Sequence, residues 1–161
     1  MEITSLTPLI TFLLLAAVLT AAAVIDIRTM YVPDTIHLCI VGLAVFSLFT
    51  EHGPTLASRV CGSLAIGGAM LFVSILTNGG IGGGDIKLLA ASGLLLGFPK
   101  NLLAFILAYV TAGLIYAIPM LFHRIERNRQ IPMIPYFAAS ILISYLFGER
   151  TIGWYLQFFV M

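Results

Sequence analysis

Charged side chains are scarce in this chain. They make up 9% of its 161 residues, whereas soluble domains carry about 25%, and 60% of the residues are hydrophobic. The formal net charge is +1, which argues against a nucleic-acid partner because such a protein needs an extended basic surface. The composition therefore excludes an ordinary soluble domain and predicts a membrane protein.

Motifs for metal-dependent and serine-dependent hydrolysis are also lacking. None of the three histidines belongs to an HExxH motif, and the GxSG pattern of rhomboid-like serine proteases is absent. The two cysteines, Cys39 and Cys61, form no CxxC pair, so we interpret them as small apolar fillers rather than metal ligands. These absences predict a protein without a bound metal.

Long apolar stretches occupy most of the chain. A helix needs about 20 apolar residues to cross the hydrocarbon layer, and the alternating pattern of a barrel strand is missing. We therefore predict an all-α, polytopic membrane protein in which residues 1–161 form a single domain. About six transmembrane helices are expected: Leu6–Ile25, Thr35–Thr50, Leu56–Leu76, Ile86–Phe98, Asn101–Phe122 and Pro132–Phe147.

The first stretch is expected to be a retained span. No Lys or Arg lies between Met1 and Thr7, and Glu2 does, which differs from the basic leading region of a secretory signal. If six helices alternate in direction, the connections at 25–34, 78–85 and 123–131 share one face. By the positive-inside rule that face is cytoplasmic, since it carries the larger number of basic side chains: Arg28, Lys87, Arg124, Arg127 and Arg129, against Arg59, Lys100 and Arg150 on the other face.

Two aspartates are expected at membrane depth on this cytoplasmic face. Asp26 follows the apolar sequence AAAVI, and Asp85 follows three glycines and opens the fourth span. That span covers only about 20 Å at 1.5 Å per residue, so Asp85 should lie below the headgroups. Irregular backbone at such depth must face protein or a wet cavity, which predicts a recess beside Asp85.

Ionisable groups at membrane depth are candidates for function. Two close aspartates do not ionise together easily, so one can activate water while the other, protonated, polarises a peptide carbonyl. This is aspartyl protease chemistry. Two alternatives remain open. Asp26 could pair with Arg28 while Asp85 caps a helix, or the pair could bind a cation in a small transporter or channel.

Three motifs resemble those of the type IV prepilin and preflagellin leader peptidases, which are GxGD intramembrane aspartyl proteases. DIRTMYVPD runs from Asp26 to Asp34, GGGDIKLL from Gly82 to Leu89, and IPMIPYFAAS from Ile131 to Ser140. The GxGD signature alone is weak, since presenilin-type proteases share it. Its combination with the Asp26 motif, in the same order and over essentially the whole chain, makes the resemblance strong.

The resemblance implies that Asp26 and Asp85 form the catalytic pair. It also implies structural or substrate-facing roles for Gly82, Gly84 and Asp34. Lys87 would tune Asp85, meet the precursor, or snorkel toward the headgroups, and we favour the last.

The resemblance also concerns three prolines, which are expected at helix starts: Pro33, Pro132 and Pro135. Members of the family more often have Phe followed by Gly or Ala between the second and the third of these prolines. Met133 and Ile134 stand there in this chain, which weakens any substrate role for those prolines.

The substrate implied is a prepilin-like precursor with a short basic leader and a hydrophobic helix, cut at the cytoplasmic face of the inner or cytoplasmic membrane among its lipids. Larger members carry an insertion with paired CxxC motifs linked to N-methylation. This chain has no such insertion, so neither methyltransferase activity nor S-adenosylmethionine is expected, and no cofactor is predicted. The motifs carry no information about oligomeric state.

Overall fold

The structure, a computed structural model, describes residues 3–49, 53–121 and 131–160. Throughout these residues the regular structure is helical. Six α-helices and one short 3₁₀ turn follow one another along the chain: α1 (Ile3–Thr29), α2 (Asp34–Phe46), the 3₁₀ turn (Ser47–Phe49), α3 (Leu56–Leu76), α4 (Gly83–Leu96), α5 (Phe98–Leu121) and α6 (Ile134–Val160). The prediction of an all-α membrane bundle is confirmed.

Three segments are long and apolar enough to cross a membrane. They are Leu6–Thr29 of α1, Leu56–Leu76 of α3 and Phe98–Ala117 of α5. Helix α4 has 14 residues, or about 21 Å, which is less than the hydrocarbon thickness of about 30 Å. The expected short fourth helix is therefore present, and its ends lie within the depth of the bundle.

Two helices extend further than the apolar stretches predicted. Helix α1 continues past Ile25 to Thr29, so Asp26 lies inside the helix and not after it. Helix α6 continues past Phe147 to Val160, so Trp154 and Tyr155 are part of this helix. In both cases the helix continues through polar residues, Asp26 and Arg28 in α1 and Glu149 and Arg150 in α6, beyond the predicted apolar stretch.

The helices pack in a continuous order around a shared apolar core. Helix α3 packs against α4 and α5, α6 against α5 and α1, and α2 against α4. Helix α4 lies at the centre, where Leu88, Leu89, Leu95 and Leu96 are buried. Helices α1 and α4 are thus held relative to each other mainly through α2 and α6.

Small residues bring α3 and α4 into backbone contact. A Cβ added at Gly93 would lie 2.5 Å from the backbone of Gly62, and one added at Gly67 would lie 2.8 Å from the Cβ of Ala90. Both positions therefore require glycine, as at close helix contacts in other membrane proteins. This contact fixes the depth of α4 against α3.

A buried amide also holds α4. The side chain of Asn101 in α5 is fully buried, and its Nδ2 donates to the carbonyl oxygens of Gly62 and Leu89, each at 3.0 Å. Its Oδ1 accepts a hydrogen bond from the Ser92 hydroxyl at 2.8 Å. Three helices are joined by this one side chain, which makes α4 a rigid platform.

Arg59 closes the opposite end of the bundle from the glycine-rich segment. Its side chain is 1% exposed, and its guanidinium donates to the carbonyl oxygens of Pro54, Ala44 and Leu94 at 2.9–3.1 Å. It also donates to the Ser47 hydroxyl at 2.7 Å. We had counted Arg59 as a surface charge, whereas the structure uses it to join the ends of α2 and α4 to the start of α3.

Candidate active site

A cavity of about 790 Å³ opens at the end of the bundle where α1 ends and α2, α4 and α6 begin. All three connections that are expected on one face of the membrane contribute described residues to this cavity. Its walls combine polar, glycine and apolar positions: Asp26, Met30, Tyr31, Val32, Asp34, Gly79, Gly80, Ile81, Gly82, Gly83, Gly84, Asp85, Lys87, Tyr109, Ile131 and Met133. The recess predicted beside Asp85 is therefore present.

Asp26 enters the cavity from the last turns of α1. It is buried, with 6% of its surface exposed. Its Oδ2 accepts a hydrogen bond from the backbone N–H of Ile134, the first residue of α6, at 3.1 Å. A free N–H at a helix start is a natural partner for a carboxylate. The contact ties the C-terminal end of α1 to the start of α6.

Asp85 lies in the first turn of α4, on the far side of the same cavity. The helix has Gly82 as its N-cap, and Asp85 N–H donates to the Gly82 carbonyl oxygen at 3.1 Å. Asp26 and Asp85, which are 59 positions apart in the chain, thus line one cavity.

The glycines beside Asp85 present backbone without side chains to the cavity. An added Cβ at Gly84 would contact Val32 at 3.6 Å, and one at Gly82 would lie 3.5 Å from Asp85 Oδ2. Gly79, just before them, has a positive φ of 88°, which glycine adopts without strain. The glycine segment therefore forms one wall of the cavity with bare backbone.

Asp34 and Lys87 form an ion pair at the cavity rim. Lys87 Nζ lies 2.6 Å from Asp34 Oδ1, and both side chains are more than half exposed. The Lys87 ammonium lowers the pKa of Asp34 below its ordinary value through this hydrogen bond and its charge. The Lys87 ammonium thus has a carboxylate partner on α2, a contact that the expected snorkelling toward the headgroups does not include.

The prolines lie where helices begin but outside the cavity lining. Pro33 is the N-cap of α2, and Pro135 is in the first turn of α6, where a missing N–H is tolerated. Pro132 precedes that helix by two residues. From this motif Ile131 and Met133 line the cavity instead.

Sequence reasoning missed two further residues at or beside the site. His37 in α2 is buried, and its Nε2 lies 3.1 Å from the carbonyl oxygen of Gly84. Tyr109 of α5 lines the cavity, and its ring packs edge-on against Phe137. The one signal in the sequence for His37 is its place three residues after Asp34, which puts both on one helix face.

The arrangement suits water activation by paired carboxyl groups. Of the residues singled out in the sequence, it brings together Asp26, Asp85, Asp34, Lys87 and the glycines. Among the described residues no cluster of three or more His, Cys, Asp or Glu side chains could hold a metal ion. The arginines at positions 124, 127 and 129, used for the orientation, lie outside the described residues.

The fold and this site define an all-helical membrane protein with an aspartate pair in an open cavity. Residues 13–118 match the model of the type IV leader peptidase family. The chain therefore belongs to the type IV leader peptidase family. The match includes Asp26 and Asp85, and it confirms the resemblance drawn from the three motifs.

Curated relatives carry the same family identity. The chain is 32% identical to the prepilin leader peptidase/N-methyltransferase of Bacillus subtilis (strain 168) over 88% of its length and 57% of that protein. The proteins of the same name from Stutzerimonas stutzeri and Aeromonas hydrophila are 30% and 31% identical, over 91% and 92% of this chain and 52% and 53% of theirs. The chain thus spans about half the length of these relatives. No solved structure matches it significantly.

Proposed function

We propose that this protein is a membrane aspartyl endopeptidase that removes a short basic leader from prepilin-like precursors. The observation that carries the proposal is that Asp26 and Asp85 line one cavity. Family membership supports it, since the curated relatives are prepilin leader peptidases by name. The precursor would present its cleavage site to the cavity while its hydrophobic helix lies among the lipids.

The two carboxyl groups have different surroundings, which assigns them different roles. Asp26 accepts the Ile134 N–H, and a hydrogen bond donated to a carboxylate favours its charged form. Within the described residues no donor reaches the Asp85 carboxyl group, which lines the same cavity. Asp26 is therefore the general base, and Asp85 holds the proton that the pair shares.

The reaction then proceeds as in other paired-carboxyl sites. Asp26 takes a proton from water as the water oxygen bonds to the scissile carbonyl carbon, and Asp85 donates its proton to the carbonyl oxygen. The tetrahedral intermediate collapses when its amide nitrogen receives the proton held by Asp26 and one of its two hydroxyl groups returns a proton to Asp85. The C–N bond breaks, which leaves a carboxyl group on the leader and a free amine on the mature chain, and both aspartates regain their starting protonation states.

The bare glycine wall gives the substrate a place to lie. A peptide must be extended to be cut, and exposed backbone can pair with an extended segment. The exposed carboxylate of Asp34 at the rim complements a basic leader in charge. The cavity would face the cytoplasm, on the side that the count of basic residues assigns, in the cytoplasmic membrane.

The test is processing of a precursor from the same genome, co-expressed with the wild-type protein or with Asp26→Asn or Asp85→Asn. Each substitution keeps the side-chain size and removes the titrating group, so each should reduce cleavage by about a thousandfold or more. Asp26→Glu and Asp85→Glu should also fail, because one methylene misplaces the carboxyl group by about 1 Å. Glu149→Gln, which removes an exposed carboxylate that does not line the cavity, is the matched comparison.

Cleavage at the wild-type rate by either asparagine variant would rule the mechanism out. The transporter or channel alternative predicts a different result: no precursor processing by the wild type, and a cation flux in vesicles that either asparagine substitution abolishes. Sequencing the amino terminus of the mature product identifies the bond that is cut.

A further inference from the structure

His37 is a buried titratable side chain that the proposed chemistry does not use. It lies in the first turn of α2, with 6% of its surface exposed. Its Nε2 is 3.1 Å from the Gly84 carbonyl oxygen, on a residue 47 positions later in the chain. Gly84 directly precedes Asp85, so this contact reaches the backbone next to a catalytic residue.

The tautomer of His37 follows from its partner. A carbonyl oxygen can only accept a hydrogen bond, so Nε2 carries the hydrogen and donates it to Gly84. Nδ1 is then the unprotonated nitrogen. It has no hydrogen-bond partner in the described part of the chain and lies 3.7 Å from Asp34 Oδ1, which Lys87 already holds.

The start of α4 needs support from outside its own sequence. Gly82, Gly83 and Gly84 precede Asp85, and glycine is the residue with the most backbone freedom to lose. The N-cap Gly82 has no side chain that could accept a hydrogen bond from the first turn. An added Cβ at Gly83 would meet nothing within 4 Å. The local sequence therefore leaves the direction of Asp85 undetermined.

Three contacts from the first motif and the helix that follows it supply that support. Val32 lies beside Gly84, Asp34 pairs with Lys87, and His37 donates to Gly84. The ion pair is exposed, and exposed pairs contribute little. The His37 hydrogen bond is buried, where a low dielectric strengthens it, and it acts on the peptide unit that leads into Asp85.

We infer that His37 is a positioning residue, which holds the first turn of α4 through Gly84 so that the Asp85 carboxyl group faces Asp26. This role rests on the proposed peptidase function. His37 itself touches neither water nor substrate in this scheme. It acts through the backbone of the glycine segment, and its loss leaves both carboxyl groups present but out of register.

The test compares three substitutions in the full-length membrane-embedded protein, with the co-expressed precursor as substrate. His37→Gln places an amide donor at the position of Nε2, His37→Asn places it at the position of Nδ1, and His37→Leu removes the donor but keeps an apolar volume. We expect kcat to fall roughly tenfold or more in the leucine and asparagine variants, with KM nearly unchanged. The glutamine variant should retain kcat within about threefold of the wild type.

A second measurement reads the backbone directly and needs no substrate. Hydrogen–deuterium exchange of the segment from Gly82 to Leu88 should be faster by roughly tenfold in His37→Leu and close to wild type in His37→Gln. Ser144→Ala is the control, because Ser144 is buried in α6 and its hydroxyl has no partner among the described residues. This control should change neither exchange nor cleavage.

Wild-type kcat and exchange in His37→Leu would overturn the inference, as would equal damage by leucine and glutamine. Should the leucine or asparagine variant fail to insert, the glutamine variant and the remaining one still decide the question. If the aspartate variants lose cleavage while His37→Leu keeps full activity, the positioning role of His37 is refuted and the proposed peptidase function is not. Cleavage by Asp26→Asn refutes the proposed function, and the exchange data then still decide whether His37 holds α4.

Discussion

The backbone N–H of Ile134 donates a hydrogen bond to Oδ2 of Asp26 at 3.1 Å, across 108 positions of the chain. The start of α6 thus supports a candidate catalytic carboxyl group at the end of α1. Because the donor is a backbone group, a substitution tests it only if the N–H itself is removed. Proline does this, and the first position of a helix tolerates proline.

Ile134→Pro should therefore reduce precursor cleavage by about tenfold or more, the value of a hydrogen bond of about 1.5–3 kcal/mol to a charged group. Ile134→Ala keeps the N–H and also removes the buried side chain, at a cost of about 2–5 kcal/mol in stability. The measurement is kcat alongside thermal unfolding in detergent. An alanine variant as inactive as the proline variant would contradict the role of the N–H.

The contact of α3 with α4 predicts opposite effects at two adjacent glycines. A methyl group at Gly67 would lie 2.8 Å from the Cβ of Ala90, whereas Gly68 has nothing within 4 Å. Gly67→Ala should lower the free energy of unfolding by about 1–3 kcal/mol through overpacking. Gly68→Ala should be neutral or stabilising by about 0.5–1 kcal/mol, since alanine is the better helix former.

Ala90→Gly provides the compensating change for Gly67→Ala. It removes the methyl group that the new side chain meets, so the double variant should recover most of the lost stability. The free energy of unfolding is measured on the detergent-solubilised proteins for all four variants: Gly67→Ala, Gly68→Ala, Ala90→Gly and the double variant. Additive losses in the double variant would show that the two positions do not press on each other.

Arg59 should not be replaceable by lysine. Its guanidinium donates to four backbone carbonyl oxygens and a hydroxyl, and an ammonium cannot reproduce that planar arrangement. Arg59→Lys should lower the free energy of unfolding by at least about 1.5–3 kcal/mol, the value of one hydrogen bond to a charged group. Arg150→Lys, at an exposed position, is the control and should leave the free energy of unfolding unchanged.

The Asp34–Lys87 pair should stay intact across the working pH range. Lys87 lowers the pKa of Asp34 below 3.8, so the contribution of the pair is present above the ordinary pKa and is lost as pH falls through the lowered value. Between about pH 5 and 9 both groups are charged. Asp34→Asn should reduce cleavage less than about fivefold and leave the pH profile unchanged in shape over that range. A new inflection in that interval would contradict this.

The helical bundle and the two candidate catalytic aspartates could be predicted from the sequence, because both depend on local patterns. Apolar stretches predict helices, and Asp26 and Asp85 stand out since carboxyl groups are rare at membrane depth. The short α4 also follows from the length of the apolar stretch Ile86–Phe98 after the glycines. Each of these features can be read from a window of about 20 residues.

Long-range partners could not be predicted in the same way. His37 lies in an apolar helix, and its partner is a carbonyl oxygen 47 positions away, which no side-chain pattern marks. Arg59 looks like a surface charge in sequence, since its buried acceptors are backbone carbonyl groups. Which carbonyl groups converge on a donor depends on helix packing and not on residue type.

The glycine contact between α3 and α4 has a mechanical consequence. Backbone meets backbone at Gly62 and Gly93, so no rotamer change can let one helix slide past the other, and the close-packed pair shifts as a solid unit. The α1–α6 side is joined differently, by larger side chains such as Phe12 and Tyr145. Side chains at the α1–α6 contact can change rotamer, so this contact can adjust in a way that the α3–α4 contact cannot.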